Sequence, residues 1–169
     1  MSAVNEDEPK LDPETIWQEL QEVTDPEIPV VSVVEMGIVR DVQIEDDGEV
    51  RVTVTPTFSG CPALHVMWSE IEAHVRALGA PSVSVETTLQ PPWSSDWITE
   101  SGREKLKEFG LAPPPRHGGN LPVTFYEPVA CPYCGSQNTI VKNTFGSTLC
   151  RAIYYCSECQ QPFEQFKAL

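Results

Sequence analysis

Thr55-Pro-Thr-Phe-Ser-Gly-Cys61-Pro-Ala-Leu64-His-Val-Met67-Trp68-Ser-Glu-Ile71-Glu-Ala-His-Val75-Arg-Ala-Leu78-Gly79 decides the architecture of most of this chain. Leu64, Met67, Trp68, Ile71, Val75 and Leu78 recur at three- and four-residue spacing, the mark of an amphipathic helix, here expected over residues 62–78. Pro62 suits the first helical position, where an N–H is not needed, and Gly79 supplies the stop. On both sides of this helix the apolar period changes to two. Residues 38–45 and 49–55 alternate and are joined by Asp46-Asp47-Gly48, a hairpin turn with glycine at the positive φ. Residues 82–89 alternate again, with Val83 and Val85 inward. Upstream, Asp12-Pro13-Glu14 opens another helix with Asp12 as N-cap; Ile16, Trp17, Leu20 and Val23 form its apolar face. Asp25-Pro26-Glu27-Ile28-Pro29 ends it, because a residue before proline avoids helical geometry. The run at 30–34 is apolar but short, and Glu35-Met36-Gly37 reads as a turn. A loop with Trp93 and Trp97 leads to a short helix at 99–109, capped by Thr99 or Ser101. The order α-β-β-α-β gives a small α+β fold, a three-stranded sheet packed with helices.

The whole chain has 169 residues, enough for one domain near 110 residues and a small appendage. Sixteen prolines favour breaks and ordered loops over long helices. No apolar run approaches the roughly 20 residues of a membrane helix, and Met1-Ser-Ala-Val-Asn-Glu-Asp-Glu8 is too polar for a signal peptide, so a cytoplasmic protein is expected. The net charge of −14 is uneven. Residues 1–116 carry 8 Lys/Arg against 22 Asp/Glu, and residues 117–169 carry 3 against 3. Such a balance repels phosphate backbones, which argues against nucleic-acid binding. Residues 1–10 read as a disordered acidic tail, 11–110 as the α+β domain, 111–119 as a proline- and glycine-rich linker, and 120–169 as a cysteine-rich module.

The pairs Cys131-Pro-Tyr-Cys134 and Cys156-Ser-Glu-Cys159 are separated by 21 intervening residues, close to the spacing of four-cysteine zinc sites. Each Cys-x-x-Cys turn aims two thiolates at one point, and Cys131, Cys134, Cys156 and Cys159 together complete a tetrahedral shell. Structural zinc is the expectation, with a rubredoxin-like iron or an iron–sulfur cluster as rivals on the same ligands. Short strands are expected at 139–144 and 151–155, making a zinc ribbon whose core is separate from the first and depends on its metal. Cys150 lies six residues before Cys156, too far for a chelating turn, and reads as a packed small hydrophobe.

Cys61 stands alone at the start of the long helix. Free N–H groups and the positive helix end would lower its pKa and make it a nucleophile or metal ligand; a buried structural cysteine is the plain alternative. His65, one turn further on, is the histidine able to approach it; His74 faces the opposite way and His117 sits in the linker. Asp25 and Glu27 flank Pro26 in a turn that could approach the Gly-Cys-Pro loop and add carboxylates to a mixed oxygen/sulfur site. No nucleophile triad, phosphate loop or carboxylate pair is present in the sequence, so no catalytic residue is expected.

These residues resemble a known family. Asp25-Pro-Glu27-Ile-Pro29, Glu35-Met-Gly-Ile-Val39 and Thr55-Pro-Thr-Phe-Ser-Gly-Cys61-Pro62 match, in order and spacing, the MIP-eighteen-like iron–sulfur assembly domains over residues 11–89. Val123-Thr-Phe-Tyr-Glu-Pro-Val-Ala-Cys131-Pro-Tyr-Cys134-Gly-Ser, Phe145-Gly-Ser-Thr-Leu-Cys150 and Cys156-x-x-Cys159-x-x-Pro162-Phe163-x-x-Phe166-Lys167 resemble the PaaD family of bacterial phenylacetate degradation. The resemblance implies a non-catalytic maturation factor for phenylacetyl-CoA epoxidase. It places the reactive thiol, a transient ligand for iron or an iron–sulfur cluster, on Cys61 and the acid positions on Asp25 and Glu27. It also draws Cys150 into a family motif. The implied partners are the oxygenase and reductase components of the epoxidase and the iron–sulfur assembly machinery, with no membrane and no nucleic acid; a homodimer is compatible with it. A rubredoxin-like electron carrier and a docking adaptor are the alternatives.

Overall fold

The computed structural model describes residues 11–119 and 128–168; the expected acidic tail lies outside them. Helix α1, Pro13–Glu19, starts where the sequence places it: the Asp12 carboxylate accepts from Thr15 N at 2.9 Å, with proline in the first turn. Two short strands follow, β1 (Thr24–Asp25) and β2 (Ile28–Ser32), paired antiparallel around Pro26. The main sheet holds β3 (Val39–Ile44), β4 (Val50–Val54) and β5 (Val83–Thr87) in that order. β3 and β4 form the expected antiparallel hairpin, with Gly48 at φ 84°. β5 runs parallel to β4, which requires a crossover, and α2 (Leu64–Ala77) supplies it. Met67, Ile71 and Val75 on α2 are buried with Val50, Val52 and Val54 in one core. The period-2 and period-3.6 patterns therefore converge on a single apolar layer.

Helix α2 begins two residues later than expected. Cys61 N bonds Phe58 O and Leu64 N bonds Cys61 O, three-residue turns that keep 61–63 outside the regular helix. Helix α3, Glu100–Glu108, is capped by Thr99, whose hydroxyl accepts from Gly102 N. It is anchored by Glu35, buried beneath it: the Glu35 carboxylate accepts from Ser32 N, Ser101 Oγ and Lys105 Nζ. Burial opposes the charge on Glu35, but these three donors outweigh it and hold its carboxyl below the usual value.

The C-terminal sheet has the order β6 (Leu111–Ala112), β9 (Pro162–Phe166), β8 (Arg151–Cys156) and β7 (Thr139–Asn143). β7 and β8 match the sequence reading. β9 goes beyond it, since no strand is expected at 162–166. β6 comes from the segment expected as a linker: Leu111–Ala112 pairs parallel with β9. The residues after it are also tied to the first domain. Arg103 donates to Pro114 O and to Ser95 O, and His117 N donates to Asp96 Oδ1 at 2.9 Å. Proline has no N–H to give, but its carbonyl still accepts, as Pro114 does here.

Two cores are present, but the ribbon also contributes to the first. Phe166, 1% exposed, joins the first core, and its ring meets Trp93 edge-on at 5.8 Å. Trp93 in turn donates Nε1–H to Met36 O. The ribbon keeps only a small core of its own, with Tyr154 stacked on Phe163 at 5.7 Å. A core this small supplies little stability by itself, and the contact of Phe166 with the first core adds to it. Phe166→Ala is expected to cost about 3–5 kcal/mol and to shift the urea transition read by tryptophan fluorescence, since all four tryptophans lie before residue 98. An unchanged tryptophan transition would contradict the shared core.

Candidate metal and thiol sites

Two sulfur sites of different character occupy the two ends of β8. At its C-terminal end, Cys131, Cys134, Cys156 and Cys159 bring their sulfurs within 4.8 Å of one another. Cys131 Sγ lies 3.7 Å from Cys159 Sγ, and Cys134 Sγ 3.6 Å from Cys156 Sγ. A tetrahedron with metal–sulfur bonds near 2.3 Å has edges of about 3.8 Å, so the four residues fit a tetrathiolate ion. Both turns expose amides toward sulfur. The Cys156 thiol is pulled down to about 7, chiefly by the N–H of Cys159 and also by that of Glu158, against the cost of burial. Gly135 takes φ 75° and its N–H returns to Cys131 O at 2.8 Å, closing the first turn. Cys131 and Cys156 are buried while Cys134 is exposed.

At the other end of β8 is a cavity of about 340 Å³ between the two modules. Cys61 and Pro62 line it with Thr57 and Phe58 from the Gly-Cys-Pro loop, Glu27 from the β1–β2 turn, and residues 145–150 from the ribbon. The structure thus gathers Cys61, Glu27 and Cys150, three residues distant in sequence. Asp25 lies just behind, 9% exposed; Oδ1 accepts from Glu27 N at 2.7 Å and so fixes the turn. Burial raises the Asp25 carboxyl above its usual value, against the N–H groups of Glu27 and Ile28 and the charge of Arg151. Among the described residues, the donor atoms of these four are not drawn into a group as tight as the four cysteines.

The depressed pKa expected of Cys61 does not occur; its thiol is pushed up. Burial contributes most, and the charges of Glu27, Asp25 and Cys150 add to it, while the Ala63 N–H alone works the other way. Helix α2 starts only at Leu64, and the single amide of Ala63 does not offset burial and the acidic neighbours. His65 is exposed and does not line the cavity. His74 Nδ1 sits 2.6 Å from Glu19 Oε1, joining α2 to α1, and His117 Nδ1 is 3.5 Å from Asp96 Oδ2.

The network that shapes the ribbon side of the cavity is not foreshadowed by the sequence. Arg151, at the start of β8, donates Nη1 to Glu164 Oε2 at 3.0 Å and Nη2 to Glu27 O at 2.9 Å. Glu164 also accepts from Ser147 N and Ser147 Oγ. The one sequence signal is the Phe145-Gly-Ser-Thr-Leu-Cys150 run, whose spacing gives no chelating turn and so carries no chemistry when read alone.

The Glu27 carboxylate disfavours the Cys61 thiolate, so Glu27→Gln should lower the thiol pKa. Alkylation of Cys61 should then be several-fold faster at pH 7.5 than in the wild type, the gain vanishing at high pH where both are ionised. Peptide-resolved iodoacetamide rates check this; equal rates at pH 7.5 would remove Glu27 from the sulfur's environment.

Residues 13–87 match the family described as iron–sulfur cluster assembly protein, and residues 123–167 match the PaaD zinc beta ribbon domain. The chain is 40% identical over 156 residues to a protein of Escherichia coli (strain K12) named as a candidate D component of 1,2-phenylacetyl-CoA epoxidase, covering 91% of this chain and 92% of that one. It is 34% identical over 99 residues to an Fe-S protein maturation auxiliary factor of Porphyromonas gingivalis, covering 58% of this chain and 90% of the relative. Among solved structures, a conserved hypothetical protein of Thermotoga maritima superposes with a TM-score of 0.51 at 32% identity, over 60% of this chain and 97% of that one. A domain of unknown function, DUF59, from Bacillus anthracis gives 0.52 at 25% identity, over 55% and 89%. Both likenesses are the size of the first module, and the ribbon lies beyond it. With an assembly domain, a PaaD-type ribbon and a relative matched over nine-tenths of both chains, this protein belongs to the PaaD family of 1,2-phenylacetyl-CoA epoxidase components.

Proposed function

We propose that this chain is an accessory maturation factor for phenylacetyl-CoA epoxidase, assisting the assembly of iron or an iron–sulfur cluster in the multicomponent oxygenase. The observation that carries the reading is the position of Cys61. Its sulfur lines an open cavity beside Glu27, away from a four-cysteine shell that is complete without it. The names of its relatives, an epoxidase component and Fe-S protein maturation factors, support the same reading.

The two sites divide the work by their chemistry. Four thiolates hold a metal tightly and leave no open position, which suits a structural zinc that orders the ribbon. A thiol beside carboxylates offers few soft ligands, so iron held there is released more readily. Cys61 is the transient ligand; Glu27 lines the same wall, and Asp25 sets the turn that carries it. The epoxidase components and the iron–sulfur assembly machinery are the partners that such a role needs. An iron in the four-cysteine shell, making the chain an electron carrier, is the second reading, because the sulfur spacing suits iron as well as zinc. Metal analysis and a visible spectrum separate them, since zinc is colourless and redox-silent.

The test is epoxidase produced in cells with wild-type chain or with Cys61→Ala. The variant should keep its zinc and its fold, while the epoxidase isolated beside it lacks iron and activity. A fully metallated, active epoxidase from the Cys61→Ala cells would leave the chain a docking adaptor.

A further inference from the structure

We propose that Cys150 is the second thiolate ligand for the metal cargo, so that the binding site is assembled between the two modules with one sulfur from each. The inference rests on the reading of Cys61 as a transient ligand and adds the residue that completes it.

The first ground is position. Cys150 and Cys61 face the same 340 Å³ cavity with Glu27, and among the described residues no Lys, Arg or His lines it. Arg151, outside the lining, is the cation whose charge reaches Cys150, and two thiols with a carboxylate on the wall itself are donors suited to a thiophilic metal. The second ground is construction. The loop 145–150 is fixed at every turn, and the fixing serves the sulfur. Gly146 is obligatory: a Cβ there would lie 2.7 Å from Glu164 Oε1 and 2.9 Å from Arg151 Cβ. Ser147 is bound through both its N–H and its hydroxyl to Glu164. Arg151 braces Ser147 Oγ at 3.2 Å and reaches across to Glu27 O. Lys167 closes the other side, its N–H on Cys150 O and its Nζ on Leu149 O. Within this frame Thr148 Oγ1 meets Cys150 Sγ at 3.0 Å, a polar partner that a packing residue does not need. The third ground is the surface. Phe58, Phe145 and Leu149, at the cavity wall, are 40%, 62% and 52% exposed, which leaves the cavity bordered by apolar side chains.

Binding of ferrous iron, alone or with sulfide, replaces each engaged S–H bond by an S–Fe bond. One proton leaves per thiol, and no change of oxidation state is required. The β8 strand gives the zinc ribbon a part in this: it carries the zinc ligand Cys156 at one end and directly follows Cys150 at the other.

The experiment uses the full-length, zinc-loaded chain, reconstituted anaerobically with ferrous iron and sulfide. Iodoacetamide labelling is then resolved cysteine by cysteine, with iron and zinc contents measured alongside. In the wild type, iron should slow the labelling of Cys61 and Cys150 together, by tenfold or more as an order of magnitude for groups removed from free thiolate. Cys150→Ala and Cys150→Ser should each lose iron to the extent of Cys61→Ala while keeping zinc. If Cys150 is labelled at the same rate with and without iron while Cys61 is protected, Cys150 is no ligand, and the reading of Cys61 stands. If neither thiol is protected, or the chain takes up no iron, both fall. The protection measurement on the wild type decides the matter even if a variant fails to fold.

Discussion

Arg151 holds the two modules in the one arrangement from which the sites follow. Its guanidinium is almost fully buried at the start of β8, shared between the Glu164 carboxylate inside the ribbon and the Glu27 carbonyl of the first module. A buried guanidinium requires partners for its charge, since removing one costs roughly 3–5 kcal/mol; both Nη atoms of Arg151 have them, while Nε has none among the described residues. That requirement fixes the Asp25-Pro26-Glu27 turn against the loop 145–150, and the cavity is what remains between them. Phe166 against Trp93 and β6 beside β9 then add apolar and backbone contact along the same seam.

The contrast between the two sulfur sites follows from this seam. The four-cysteine shell is local: two turns, each closed by its own amides, meet with sulfurs already at tetrahedral spacing. The cavity thiols are assembled by tertiary structure, and their surroundings disfavour the bare thiolate through burial and neighbouring acids. Such surroundings suit a site that waits for a cation, because the bound metal offsets the same repulsion that the empty site carries. In the proposed function, environment alone gives structural and transient roles to different cysteines.

What is legible in the sequence is what depends on short-range rules. Asp12 before Pro13, the alternation of β3 and β4 around Gly48, the stripe of α2 and the paired Cys-x-x-Cys turns each encode their outcome within a few residues. What escapes it depends on distant contacts. A helix started at Pro62 is expected to aim several free amides at the Cys61 sulfur, whereas with the start at Leu64 the Ala63 N–H alone opposes burial and the acidic neighbours. The short strands β6 and β9 carry no periodic signature, and Leu111–Ala112 becomes a strand only by lying beside Glu164 and Gln165. The distance from Cys150 to Cys156 excludes it from the four-cysteine shell, but such a criterion sees ligands of the same site and not of another. Arg151, a lone charge in an apolar run, gives no sign that its partner stands at residue 27.

The claim that the thiol site exists only while the modules are locked together is tested most directly by bridging Cys61 and Cys150 with a short bifunctional reagent that fluoresces when both ends react with thiols. Wild-type chain with its zinc in place should form the Cys61–Cys150 bridge as the main product, and Arg151→Met, with zinc content unchanged, should lose it. An equal yield of the bridge in Arg151→Met, or no bridge between these two cysteines in the wild type, would contradict the account.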